Sequence, residues 1–68
     1  MVNVGDKIKI LGFAPNMDGS HDPAEGEYIG RTGVVEHIDD SGEIHGTWGG
    51  LGLLPVDKYE IISTKKEG

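Results

Sequence analysis

The sequence predicts an all-β domain, a small five-stranded barrel closed around one aliphatic core. Three observations predict it. Twelve glycines and three prolines punctuate 68 residues, and no long stretch carries a 3.6-residue apolar period. Short alternating apolar segments recur between turn signals. Cysteine is absent, so neither disulfides nor thiolate metal sites staple the chain. The length permits one domain, spanning residues 1–68 with its body at about 4–62 and a fraying tail at 63–68. So short a chain buries only about 60% of its unfolded surface, which leaves little stability to spare.

The first strand is VGDKIKIL, where Val4, Ile8 and Ile10 share one face and Lys7 and Lys9 the other. Residues 12–30 follow as a long irregular loop rich in glycine, with Asp18-Gly19 and Asp22-Pro23 as turn signals. Loops of that length tend to be functional, and Phe13, Met17 and Tyr28 are its candidate anchors to the body. RTGVVEHI is the second strand. Val35 and Ile38 are three apart, so a bulge is needed to turn both inward. Asp39-Asp40-Ser41-Gly42 is a turn with Gly42 in the left-handed position. EIHGTW is the third strand, with Ile44, Gly46 and Trp48 on one face and His45 and Thr47 on the other. Gly49-Gly50 is the expected two-residue corner into LGLL, the fourth strand. PVDK is a short turn of 3₁₀ type, and YEIIS is the fifth strand. The expected core is Val4, Ile8, Ile10, Val35, Ile38, Ile44, Trp48, Leu51, Leu53, Tyr59 and Ile61.

This order of strand, long loop, strand, turn, strand, tight corner, strand, 3₁₀-like turn, strand is the connectivity of an SH3-like barrel, in which the first and fifth strands are neighbours. The segment HGTWGGLGLLP fits neither the dinucleotide nor the phosphate-loop pattern, and no helix follows it. Gly46 and Gly52 instead leave room where strands cross, a place for the Trp48 indole. Two readings of Trp48 stand, a core plug and an exposed recognition residue.

The segments VGDKIKI, MDGSHDP, GRTGVV, IDDSGEIHGTWGG and LGLLPVDKYEII together resemble a small bacterial and phage-associated domain family of unknown function. The resemblance covers residues 4–62 and is most specific from Ile38 to Trp48. Three departures are a longer 12–30 loop, Gly46 where a larger apolar residue is usual, and Tyr59 in place of Phe. The resemblance implies an SH3-like barrel and no activity. VGDKIKIL and GRTGVVEHI are more loosely similar to KOW-type and Tudor-like barrels, which often serve RNA or ribonucleoprotein.

Twelve acidic residues against six basic ones, a formal net charge of −6, disfavour nucleic-acid binding and anionic membranes. No apolar run is long enough to span a bilayer and no secretory signal is visible, so the expected compartment is the cytoplasm. His37 and His45 face one another across the hairpin, with Glu36 and Glu43 nearby, and read as an exposed polar pair with no metal expected. DDSGE lacks calcium-loop spacing. No cleft separates the carboxylates into acid and base, so neither enzyme activity nor a cofactor is expected.

The reading is a non-catalytic interaction module that takes a basic segment of a protein partner through the 12–30 loop and the 39–42 turn. Its candidate contacts are Glu25, Glu27, Tyr28, Asp39, Asp40, His45 and Trp48. The alternative is a nucleic-acid or ribonucleoprotein accessory using Lys7, Lys9, Arg31, Lys65 and Lys66. The expected state is a monomer or weak homodimer.

Overall fold

The computed structural model describes residues 2–64. It contains five antiparallel strands in one sheet: β1 (Lys7–Gly12), β2 (Thr32–Ile38), β3 (Ile44–Gly46), β4 (Gly49–Leu53) and β5 (Lys58–Ser63). Their spatial order is β4-β3-β2-β1-β5. β5 lies beside β1, as expected from the connectivity. The sheet is not closed, and β4 and β5 form its two edges. Among the described residues helix is confined to one 3₁₀ segment, Pro23–Glu27. Among the described residues no helix is long and apolar enough to cross a membrane.

β2 serves two ladders. Its first half pairs with β1, with Ile8 opposite Gly33 and Lys9 opposite Thr32. Its second half pairs with β3, with Val35 opposite Gly46, His37 opposite His45 and Ile38 opposite Ile44. Between Val35 and His37 β2 advances two residues while β3 moves one, a bulge. The surplus residue, Glu36, resets the alternation, so Val35 is buried and Ile38 packs on the same core.

The core is Val2, Ile8, Ile10, Val35, Ile44, Trp48 and Leu53, flanked by Phe13, Tyr28, Ile38 and Tyr59. Three expected members differ. Val4 is 50% exposed and Val2 takes its place. The cause is a turn over Asn3–Asp6, closed by the Asp6 N–H donating to the Asn3 carbonyl at 3.0 Å. Gly5 sits in it at φ +99°. The turn interrupts the extended chain, so β1 starts at Lys7 and the parity that linked Val4 to Ile8 is lost. Asp6 is buried and its Oδ2 accepts the Asn3 N–H at 2.9 Å, which seals the turn. Ile61 is exposed because β5 is an edge strand with no neighbour beyond it, and Leu51 is only half-buried.

The corner between β3 and β4 is Thr47-Trp48, not Gly49-Gly50, since Gly46 pairs with Gly49. β3 accordingly ends at Gly46, short of the expected Trp48. From the Ile44–Leu53 pair to the Gly46–Gly49 pair β3 advances two residues while β4 advances four, so β4 is arched. The arch offers the Leu51 carbonyl to the Trp48 indole, whose Nε1–H donates to it at 2.6 Å. Trp48 is 3% exposed, so it is the core plug and not an exposed recognition residue. Gly46 makes the room, because a Cβ there would collide with the indole ring and the Val34 carbonyl. Gly33 does the same from β2, where a Cβ would lie 3.0 Å from Trp48 Cε3. Gly52 has a different neighbour, the Glu43 side chain.

The turn before β5 is a β-turn without 3₁₀ helix, closed by the Asp57 N–H donating to the Leu54 carbonyl at 2.9 Å. The helical turn lies instead in the long loop, where Asp22-Pro23 starts it: Asp22 Oδ1 accepts the Ala24 N–H at 2.9 Å and Pro23 needs no donor partner. The loop is further closed over Asn16–Ser20 by the Asn16 N–H donating to the Ser20 carbonyl at 2.7 Å. Met17 is fully exposed and anchors nothing, whereas Phe13 and Tyr28 pack on the core.

Substituting Gly46→Val is expected to destabilise the fold by about 1–3 kcal/mol or more through overpacking. Gly50→Ala, where a Cβ meets nothing within 4 Å, is expected to stay within about 0.5 kcal/mol of the parent. Urea unfolding followed by Trp48 fluorescence checks both.

Candidate functional site

Residues 12–30 return the chain from β1 to β2 and leave a groove between the end of β1 and the 3₁₀ segment. The return is fixed by paired backbone bonds: the Gly30 N–H donates to the Ile10 carbonyl at 2.7 Å and the Ile10 N–H to the Arg31 carbonyl at 2.9 Å. The groove's first wall is pinned by Asp57, whose Oδ1 accepts the Ala14 N–H at 2.8 Å while its Oδ2 accepts the Leu54 N–H at 2.8 Å. One carboxylate thus joins the loop to the turn before β5.

The groove has a volume of about 460 Å³ and is lined by Gly12, Phe13, His21, Asp22, Pro23, Glu25, Gly26 and Ile29. Small-molecule sites occupy the same size range. Phe13, Pro23 and Ile29 supply apolar surface, and Ile29 is exposed. Asp22 and Glu25 supply carboxylates. His21 Nδ1 lies 3.2 Å from Glu25 Oε1, one helical turn away in sequence. Glu27 is exposed at the end of the 3₁₀ segment.

Tyr28 and Arg31 turn away from this groove. The Arg31 guanidinium stacks 4.4 Å above the Tyr28 ring, and its Nη1 donates to the Trp48 carbonyl at 2.9 Å. Tyr28 approaches Gly49, where a Cβ would lie 2.8 Å from Tyr28 Cε1. These residues therefore lock the 12–30 loop to the corner between β3 and β4.

A second cluster lies at the opposite end of β2. Asp39 Oδ1 accepts the Ser41 hydroxyl at 2.7 Å, the Glu43 N–H at 2.9 Å and the Ser41 N–H at 3.0 Å. Gly42, at φ +89°, donates its N–H to the Asp39 carbonyl at 2.9 Å, as its expected left-handed position requires. His45 Nε2 lies 3.2 Å from Asp39 Oδ2 and 3.7 Å from Glu43 Oε1. The His37 and His45 rings stack across the ladder with centroids 6.0 Å apart. Beside this turn a second, mostly apolar groove of about 330 Å³ is lined by Val2, Ile38, Gly42, Ile44, Pro55 and Tyr59.

The sequence-predicted contacts thus form separate groups. Glu25 lines the loop groove. Tyr28 joins Arg31 at the corner between β3 and β4. Asp39 and His45 meet at the β2–β3 turn, and the exposed Asp40 lies in that turn. Lys7 and Lys9 are exposed on β1, and Lys9 lies opposite Glu60. Lys65 and Lys66 lie outside the described residues. Sequence reading passed over Asp57, Phe13 as groove wall, and Ile29. Asp57 carried a local signal, an aspartate just after Pro55 that caps its own turn. Its bond to Ala14, 43 residues away, carried none.

Compared with known proteins, the chain matches no family model, no curated protein and no solved structure.

The bonds donated by Ser41, His45 and the Glu43 N–H hold the Asp39 carboxyl well below its ordinary value of 3.8. A lowered native value means that the folded state prefers the charged form. The stabilisation is therefore complete above about pH 4 and is lost as pH falls through the native value. A carbon-detected titration of Asp39 is expected to give a midpoint below 3.8, and Ser41→Ala is expected to move that midpoint upward.

Proposed function

We propose that the chain is a non-catalytic interaction module on an SH3-like barrel, and that it takes a basic, partly apolar segment of a protein partner in the groove between β1 and the 3₁₀ turn. The observation that carries this reading is the pairing of apolar walls, Phe13, Pro23 and Ile29, with the Asp22 and Glu25 carboxylates in one groove of about 460 Å³. An apolar side chain enters the groove and a lysine or arginine beside it meets the carboxylates. The net charge of −6 draws such a segment in from solution. The exposed Asp40 in the 39–42 turn offers a second acidic contact at the far end of β2. Support for the barrel comes from β2 serving two ladders and from β5 pairing with β1. The resemblance to the bacterial and phage-associated family belongs to the same reading.

The nucleic-acid alternative has less support. Arg31 is engaged by the Tyr28 ring and the Trp48 carbonyl, and Lys9 lies opposite Glu60.

Amide-resolved titration of the intact chain with short peptides tests the proposal. Lysine- and arginine-containing peptides with leucine or phenylalanine neighbours are expected to shift Gly12, Phe13, Gly26 and Ile29. Acidic peptides of the same length are expected to leave them unmoved. Glu25→Lys is expected to weaken binding by about 1 kcal/mol or more, roughly fivefold. Equal response to acidic and basic peptides, or shifts confined to Lys7 and Lys9 with an RNA oligonucleotide, would sink the reading.

A further inference from the structure

We propose that Asp39, Glu43 and His45 form a binding site for a divalent transition-metal ion of the zinc class. The site is independent of the groove between β1 and the 3₁₀ turn. Among the described residues these three place one ligand atom each within 4.8 Å of one another. A tetrahedral ion with bonds of about 2.0–2.1 Å sets its ligand atoms about 3.3 Å apart. His45 Nε2 stands 3.2 Å from Asp39 Oδ2 and 3.7 Å from Glu43 Oε1, both close to that spacing, and the two carboxylates lie within 4.8 Å of one another.

Each ligand is positioned by a different part of the fold. Asp39 keeps Oδ2 towards His45 because its Oδ1 is taken by Ser41 and the Glu43 N–H. That leaves one carboxylate oxygen for the ion and one for the supporting bonds, the division found around metal centres. Glu43 lies over the bare backbone of Gly52, where any Cβ would collide with its side chain. β4 therefore omits a side chain where the Glu43 carboxylate needs to lie. His45 is held on β3 by its ladder partner His37, whose ring stacks on it at 23°. All three ligands are partly open to solvent, so water completes the coordination.

The donor set selects the ion. One imidazole and two carboxylates suit zinc and its neighbours in the first transition row. Calcium and magnesium favour oxygen ligands throughout, so the imidazole nitrogen of His45 turns the set towards a transition ion. The ion binds through the Nε2 lone pair and takes the place of the direct contact between His45 and Asp39.

The test is calorimetric titration of the full chain with zinc chloride at neutral pH, joined to nitrogen-detected spectra of the imidazoles. One saturable equivalent is expected, with a large displacement of His45 Nε2 and little change at His21. His45→Ala and Glu43→Gln are each expected to weaken binding about tenfold or more, and Gly52→Ala to weaken it by displacing Glu43. His21→Ala, which removes the other histidine–carboxylate pair, is expected to leave the affinity unchanged. Near-ultraviolet dichroism of Trp48 confirms that each variant is folded. Absence of saturable binding up to about 1 mM zinc overturns the proposal. So does affinity preserved in folded His45→Ala, or calcium binding as tightly as zinc.

Discussion

The fold depends on the seating of one indole. Trp48 occupies the corner between β3 and β4, and its ring fits because Gly33 and Gly46 present no side chains to it. Its single polar atom is satisfied by the Leu51 carbonyl at 2.6 Å, which removes the cost of burying an unpaired N–H. The same corner fixes its surroundings. The Thr47 hydroxyl accepts the Val34 N–H at 2.9 Å, and the Thr47 N–H donates to the Val34 carbonyl at 3.1 Å. The Trp48 carbonyl accepts Arg31. β2, β3, β4 and the end of the long loop therefore all meet around this residue. In a chain of 68 residues without a disulfide, one large, fully satisfied aromatic supplies much of the rigidity that aliphatic contacts alone cannot.

The acidic residues have a second use besides solubility. Asp6, Asp18, Asp22, Asp39 and Asp57 each accept a nearby backbone N–H. The short aspartate side chain reaches the chain around it, and so competes well with strand formation where a turn is wanted. Ser20, through its hydroxyl, holds the Asp18 carboxyl below the ordinary range, as Ser41 does for Asp39. The chain is acidic partly because its turns are built from aspartate.

What the sequence made legible was local. Alternation at Ile8 and Ile10 located β1, the three-residue step from Val35 to Ile38 announced the β2 bulge, and Gly46 beside Trp48 signalled the indole's berth. All three are near-neighbour relations that periodicity and side-chain size encode directly. Two other features needed geometry beyond the pattern. The Asn3–Asp6 turn exchanged Val4 for Val2 in the core, because a hydrogen-bonded reversal overrides alternation. The corner moved two residues, from Gly49-Gly50 to Thr47-Trp48, because the β3–β4 register that pairs Gly46 with Gly49, rather than glycine content, decides where the chain turns. The grouping of candidate contacts was less legible still. Glu25 and Asp39 both stand out as acidic turn residues, but β2 places them at opposite ends, and only tertiary structure separates a groove wall from a hairpin cap.

The Asp57 carboxylate is a fastening between two distant parts of the chain. Its two oxygens grip the chain just past β1 and the chain just past β4 at equal lengths of 2.8 Å. The carboxylate is thus a strut between the groove wall beside Phe13 and the approach to β5. The outermost strand is thereby tied to the loop by a carboxylate as well as by its ladder with β1, a second fastening that lies outside the aliphatic interior.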